Sequence, residues 1–214
     1  MKLFWPRTIG LLLVLLFTSP AGGEPFRIVV LPDSQNAADT FPEVLDATCD
    51  WIAANKANLN IQYVLHVGDM VERGADERMW NNFDNSMKRL EKGGVPYILA
   101  VGNHDFGNPN GQTNRLALFE QHFPVTRFNA LPSFGGNAPE GSNANSYHVF
   151  RAGGVNWLVL SLVFIPPDYI LAWAGKVIEA HPNHSVILLT HSYLEHKGRD
   201  VSGERIWNKL ARRY

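Results

Sequence analysis

The chain has 214 residues, 45% apolar and 18% charged, which is enough for one domain with a sizeable core and excludes a disordered segment. Its 19 basic and 20 acidic side chains leave a formal net charge of −1, with no basic run and no Lys/Arg-rich helix. Nothing in this charge pattern points to nucleic acid as a structural partner, so an anionic ligand has to be held by metals or local groups.

In chain order, Lys2 and Arg7 form a positive segment and Ile9 to Phe17 a short apolar core. Thr18-Ser19-Pro20 breaks that core, and Ala21-Gly22-Gly23 offers small residues for cleavage. The apolar run is roughly half of the ~20 residues that span a bilayer. Residues 1–23 are therefore expected to be a signal peptide and residues 24–214 the domain. The expected location is secreted or periplasmic, with no membrane attachment after cleavage. Losing Lys2 and Arg7 takes the net charge from −1 to −3.

Beyond the signal, apolar strand-like runs alternate with helical patterns, which predicts an α/β fold. Strands are expected over Arg27–Leu31, Gln62–Val67 and Pro96–Val101. The helix between the first two covers Phe41–Asn55, with Pro42 in its first turn. It carries the single cysteine, Cys49, near Leu45, Ile52 and Ala53, as a buried structural thiol. The next helix lies within Ala75–Lys92, with Trp80, Phe83, Met87 and Leu90 at helical spacing and Gly93-Gly94 at its end. A shorter helix is predicted over Thr113–His122, and Phe128–Ser146 reads as a long loop, placed to close over a substrate. Tyr147–Phe150 and Asn156–Leu162 read as a hairpin turning at Gly153-Gly154. A helix capped by Asp168 runs to Ala180, Ser185–Thr190 is a strand, and Ser202 or Gly203 opens a last helix, Glu204–Arg212.

The chemistry falls at the strand ends, where open α/β sheets collect ligands. Asp33 and Gln35 follow the first strand and Gly68-Asp69 the second. Gly102-Asn103-His104-Asp105 follows the third, and His191 follows Ser185–Thr190. Asp33, Asp69, Asn103 and His191 are hard oxygen donors with one imidazole, a set suited to Mn, Fe or Zn. A carboxylate such as Asp69 can bridge two divalent ions, and two such ions can clamp a phosphate and acidify a water. His104 is placed to protonate a leaving alkoxide, with Asp105 beside it to orient the imidazole.

These segments resemble the calcineurin-like metallophosphoesterases over about Phe26 to Tyr214. The specific element is Gly102-Asn103-His104-Asp105; the others gain weight from their order, with 36 residues from Asp33 to Asp69 and 34 from Asp69 to Asn103. The resemblance implies a two-sheet β-sandwich flanked by helices and metal-dependent hydrolysis of a phosphomonoester or phosphodiester. It also implies roles: Asp33 on a first metal, Asp69 bridging, Asn103 and His191 on the second, and His104 as acid. Gln35 stands where the family usually has His, and its carbonyl oxygen is a weaker donor. The family's later Gly-His-x-His segment has no counterpart, because no His-x-His occurs in the chain. The expectation is a domain incomplete at its C-terminus, its last strands missing, with self-association through unpaired sheet edges. The alternative is a truncated, impaired relative that binds metal or anion without efficient turnover.

The remaining histidines read as structural. His66 is expected in the core beneath the site, His148 within a strand, His122 at a helix end, His181 and His184 at a turn, and His196 in an exposed loop.

Overall fold

The computed structural model describes residues 13–17, 23–108 and 113–214. The signal segment thus falls mostly outside the described residues. Its described part, β1 (Leu13–Phe17), pairs antiparallel with β2 (Phe26–Leu31), from Leu13 opposite Val30 to Phe17 opposite Phe26.

After β2 come α1 (Gln35–Thr40), α2 (Pro42–Asn55), β3 (Ile61–His66), α3 (Glu77–Lys92) and β4 (Tyr97–Leu99). β2, β3 and β4 are parallel neighbours, so all three end on the same edge of the sheet. Both faces are covered, which is why their sequences are nearly continuous apolar runs. Val29, Leu31, Val64 and Leu99 turn toward Leu45, Cys49 and Ile52 of α2 and Trp80, Phe83 and Met87 of α3. Ile28, Tyr63, Leu65 and Ile98 turn the other way, toward the second sheet. Cys49 is fully buried, and burial beside Asp46 and Asp50 pushes its thiol up to about 12, so it is an inert core residue.

The second half adds α4 (Ala117–His122), α5 (Val125–Phe128), β5 (Phe134–Asn137), β6 (Ser146–Ala152), β7 (Val155–Leu162), α6 (Asp168–Ala180), β8 (Ser185–Thr190), β9 (Leu194–Glu195), β10 (Gly198–Arg199) and α7 (Val201–Lys209). The second sheet has the order β5-β6-β7-β8, antiparallel except for the parallel β7–β8 pair. Alternation along β7 separates its faces. Val159 packs between the sheets, Ser161 donates to the Leu99 carbonyl across the gap at 2.8 Å, and Leu158, Leu160 and Leu162 meet α6 and α7 on the far side. The result is the expected α/β sandwich, two sheets face to face with helices outside each. Among the described residues β8 has a strand on one side only. No described helix is long and apolar enough to cross a membrane.

Three local expectations are corrected. The segment Phe128–Ser146 is not all loop: it contains β5, Phe128 and Ala144 join the helix-side core, and Asn145 is fixed by bonds to Ala138 and Val163. Asp168 does not cap α6; Pro167 precedes the helix, and Asp168 pairs with Arg205 and Lys209 of α7. The last helix starts earlier than predicted because Asp200 is its cap, accepting from Gly203 N–H at 2.6 Å.

Candidate metal centre

The site is built where β2, β3, β4 and β8 end. Asp33, Asp69 and His191 offer ligand atoms that all lie within 4.8 Å of one another. The turn after β3 makes this approach possible. Gly68 has φ +107°, and a Cβ there would lie 2.8 Å from His191 Nδ1. Asp69 itself has φ +51°, a left-handed conformation that costs a non-glycine residue energy and recurs at functional sites. Gly102 lets the third loop pass against Asp69; a side chain there would collide with the Asp69 carboxylate.

Each oxygen of Asp69 has a partner. Oδ1 accepts from His104 N–H at 2.9 Å, and Oδ2 lies 3.2 Å from His191 Nε2. Burial pushes this carboxyl up, but the bonds from His191 and His104 outweigh it and hold Asp69 below its ordinary value. Asp33, half-exposed at the rim, is raised by burial and by the nearby Asp69 charge, against the pull of His191.

His191 is the informative residue. Its Nδ1 lies 3.1 Å from the Val67 carbonyl, an acceptor only, so Nδ1 carries the hydrogen and donates. Nε2 then faces Asp69 Oδ2 at 3.2 Å and Asn103 Oδ1 at 3.1 Å, both acceptors. Such a cluster of three electron pairs is stable only with a positive charge among them, as a proton or a cation. In the metal-free protein the proton serves, which is why the bond to Asp69 raises His191 above its ordinary value despite burial.

Gln35 completes the first motif with a donor whose chemistry fits a divalent ion. Its Oε1 is buried without a hydrogen-bond partner, a costly state for a carbonyl oxygen unless it meets a cation or water. Asn103 is exposed beside His191. Asp33, Asp69, Asn103 and His191 each follow a strand, and contacts join them into one group; Gln35 opens α1 two residues after Asp33.

The role expected of Asp105 is corrected. Its buried carboxylate does not orient His104. It accepts from Met70 N–H at 2.7 Å, Val71 N–H at 3.1 Å and Gly102 N–H at 2.7 Å, tying the second loop to the third. Burial pushes this carboxyl up to about 7 against the pull of those donors. His104 is oriented by Glu72 instead: Nδ1 lies 3.0 Å from the Glu72 carbonyl and 3.6 Å from its carboxylate, and the carbonyl bond raises the imidazole above its ordinary value. A backbone carbonyl leaves no mark in a sequence, so this partner was not legible there.

His66 is fully buried beneath the site. It accepts from Gly68 N–H at Nδ1 (3.2 Å), so its Nε2 hydrogen points to Ser34 Oγ at 2.9 Å, and Ser34 donates to the Met70 carbonyl. This clamp joins the first two loops. Phe164, after β7, lays its ring 6.0 Å from that of His191. His181, His184 and His196 lie apart from the cluster: the first two contact each other, and His196 is exposed.

The sequence profile of the calcineurin-like phosphoesterases matches residues 26–214. The Bacillus subtilis (strain 168) protein YvnB, described as uncharacterized, is 33% identical over 194 residues, covering 90% of this chain and 15% of its own length. Among solved structures, the purple acid phosphatase PPD1 from yellow lupin (Lupinus luteus) seeds superposes with a TM-score of 0.55 at 16% identity, covering 88% of this chain and 36% of that one. A dimetal phosphatase from Danio rerio gives a TM-score of 0.46 at 14% identity, covering 86% of this chain and 74% of that one. The chain thus spans only a minor part of the curated relative and of the lupin enzyme.

Proposed function

The chain belongs to the calcineurin-like phosphoesterase family, and from that premise we propose that it hydrolyses a phosphomonoester or phosphodiester using two divalent ions. The reading is carried by one observation: Asp69 Oδ2 and Asn103 Oδ1 converge within 3.2 Å of His191 Nε2, a point that takes a positive charge, as a proton or as a cation. Asp33 and Gln35 would hold a first ion, Asn103 and His191 a second, and Asp69 would bridge. Ions held there supply Lewis-acid stabilisation of phosphate charge and a more acidic attacking water. The protein's own part is positional. Asp69 is fixed in its strained turn by His104 N–H, and the Val67 carbonyl sets the His191 tautomer. His104, held at Nδ1 by Glu72, keeps Nε2 free to give a proton to the leaving alkoxide oxygen. No covalent intermediate is proposed. Export through residues 1–23 is part of this reading and is supported by the charge and apolar pattern of that segment.

The deciding experiment counts Mn²⁺ or Zn²⁺ by native mass spectrometry on the full chain, beside turnover of a generic phosphoester. Two bound ions, lost in Asp69→Ala together with hydrolysis, are expected. Binding without hydrolysis would favour the impaired relative; no bound ion would sink the proposal.

A further inference from the structure

Asp33 belongs to two features at once. Its carboxylate closes the cluster with Asp69 and His191, and the same residue lines a groove of about 540 Å³ between the loop after β2 and the outer side of α2. That volume is typical of small-molecule sites. The groove follows from how α2 is patterned. Leu45, Cys49 and Ile52 form the buried stripe, and a second stripe beside it, Val44, Ala47, Thr48 and Trp51, faces the groove. Val44 and Trp51 remain 51% and 44% exposed, so this helix presents apolar surface to solvent within reach of the candidate centre.

The charge of the groove decides what it can take. Among the described residues its charged lining is Asp33 and Glu43, both acidic, and no Lys or Arg contributes. A substrate arm carrying further phosphates or carboxylates would be repelled, and one rich in hydroxyls would find few partners. A neutral hydrocarbon or aromatic group would bury against Val44 and Trp51 while its phosphate lay at Asp33.

We infer that the groove receives the alcohol part of the phosphoester and selects uncharged, apolar or aromatic alcohols. This rests on the reading of Asp33 as part of a phosphate-binding metal centre. Hydrolysis would then release an apolar alcohol from the groove and phosphate, or a phosphate monoester, from the cluster.

The test compares binding of 1-naphthylmethylphosphonate, whose P–C bond resists hydrolysis, and inorganic phosphate to the full-length, Mn²⁺-loaded protein by titration calorimetry, with turnover of 1-naphthyl phosphate measured beside it. Wild type is set beside Ala47→Phe, which fills the groove from an exposed helix position, and Trp51→Ala, which removes its aromatic wall. Wild type is expected to bind the naphthyl phosphonate about 10-fold more tightly than phosphate. Ala47→Phe should abolish that advantage without weakening phosphate, and Trp51→Ala should reduce it. Equal affinities in wild type would overturn the inference, and so would an advantage that persists in Ala47→Phe. A groove filled by a second copy would give the first of these results. Loss of turnover with the naphthyl advantage intact would instead sink the phosphoesterase reading and leave the groove standing.

Discussion

At the residue scale, Asp105 and Glu72 show where sequence adjacency misleads. Asp105 follows His104 in the chain, yet its side chain enters the core and binds three backbone N–H groups of two loops. Asp105→Asn keeps the shape but turns an amide N–H toward Gly102 N–H or toward Met70 and Val71. We expect a loss of about 2 kcal/mol in unfolding free energy, the cost of one buried unsatisfied donor pair. Urea denaturation reads this directly. An unchanged midpoint with abolished turnover would mean that Asp105 acts in the chemistry itself. Glu72→Gln leaves the carbonyl bond to His104 in place and removes only the nearby carboxylate charge. It should lower kcat by about 10-fold or less with metal content unchanged. Loss of metal instead would place Glu72 among the ligands. The ligand candidates themselves were legible because a donor at the end of a parallel strand has few other places to go.

At the scale of elements, long periodic segments were readable and short ones were not. β8 matches its predicted span, and α2, α3 and α6 differ from theirs by one or two residues, because continuous burial or a helical apolar stripe writes itself into composition. β5 was missed because Phe134-Gly135-Gly136-Asn137 has turn chemistry; it is a strand only through its pairing with β6, which no local signal shows. The start of α7 was misplaced for a related reason. Ser202 is buried and does not cap, whereas Asp200 reaches forward to Gly203 N–H and also accepts from Ser192, next to His191. Asp200→Ala should therefore cost about 1 kcal/mol of stability from the lost cap. It should also loosen the segment that carries His191, seen as weaker metal binding at constant ligand identity. If stability falls and metal affinity does not, the cap and the site are independent.

At the scale of the whole molecule, the sandwich leaves β8 with one strand neighbour among the described residues, and Val186 on it is exposed. An open apolar edge templates pairing with another chain. Light scattering should show concentration-dependent association that Val186→Lys suppresses; a monodisperse species at all concentrations would refute it. The same architecture makes the fold acid-sensitive. His66 beneath the site and His148 between β6 and Tyr63 are both fully buried, and burial pushes each down to about 3. In the unfolded chain both titrate near the ordinary value of about 6.5. Between these limits the unfolded state binds more protons at these two sites than the folded one, so their contribution to stability is complete above about pH 6.5 and falls as pH drops toward 3. The two histidines together would give about 2.7 kcal/mol per pH unit, but Asp105, pushed up to about 7, holds a proton in the folded protein over the same range and offsets one of them, leaving about 1.4 kcal/mol per pH unit. Chemical denaturation at pH 7.5, 6 and 5 measures it. His148→Gln, which keeps a polar group opposite Tyr63 without the titrating imidazole, should lower the slope by about 1.4 kcal/mol per pH unit. A slope that His148→Gln leaves unchanged would mean that this imidazole takes up its proton within the folded sandwich.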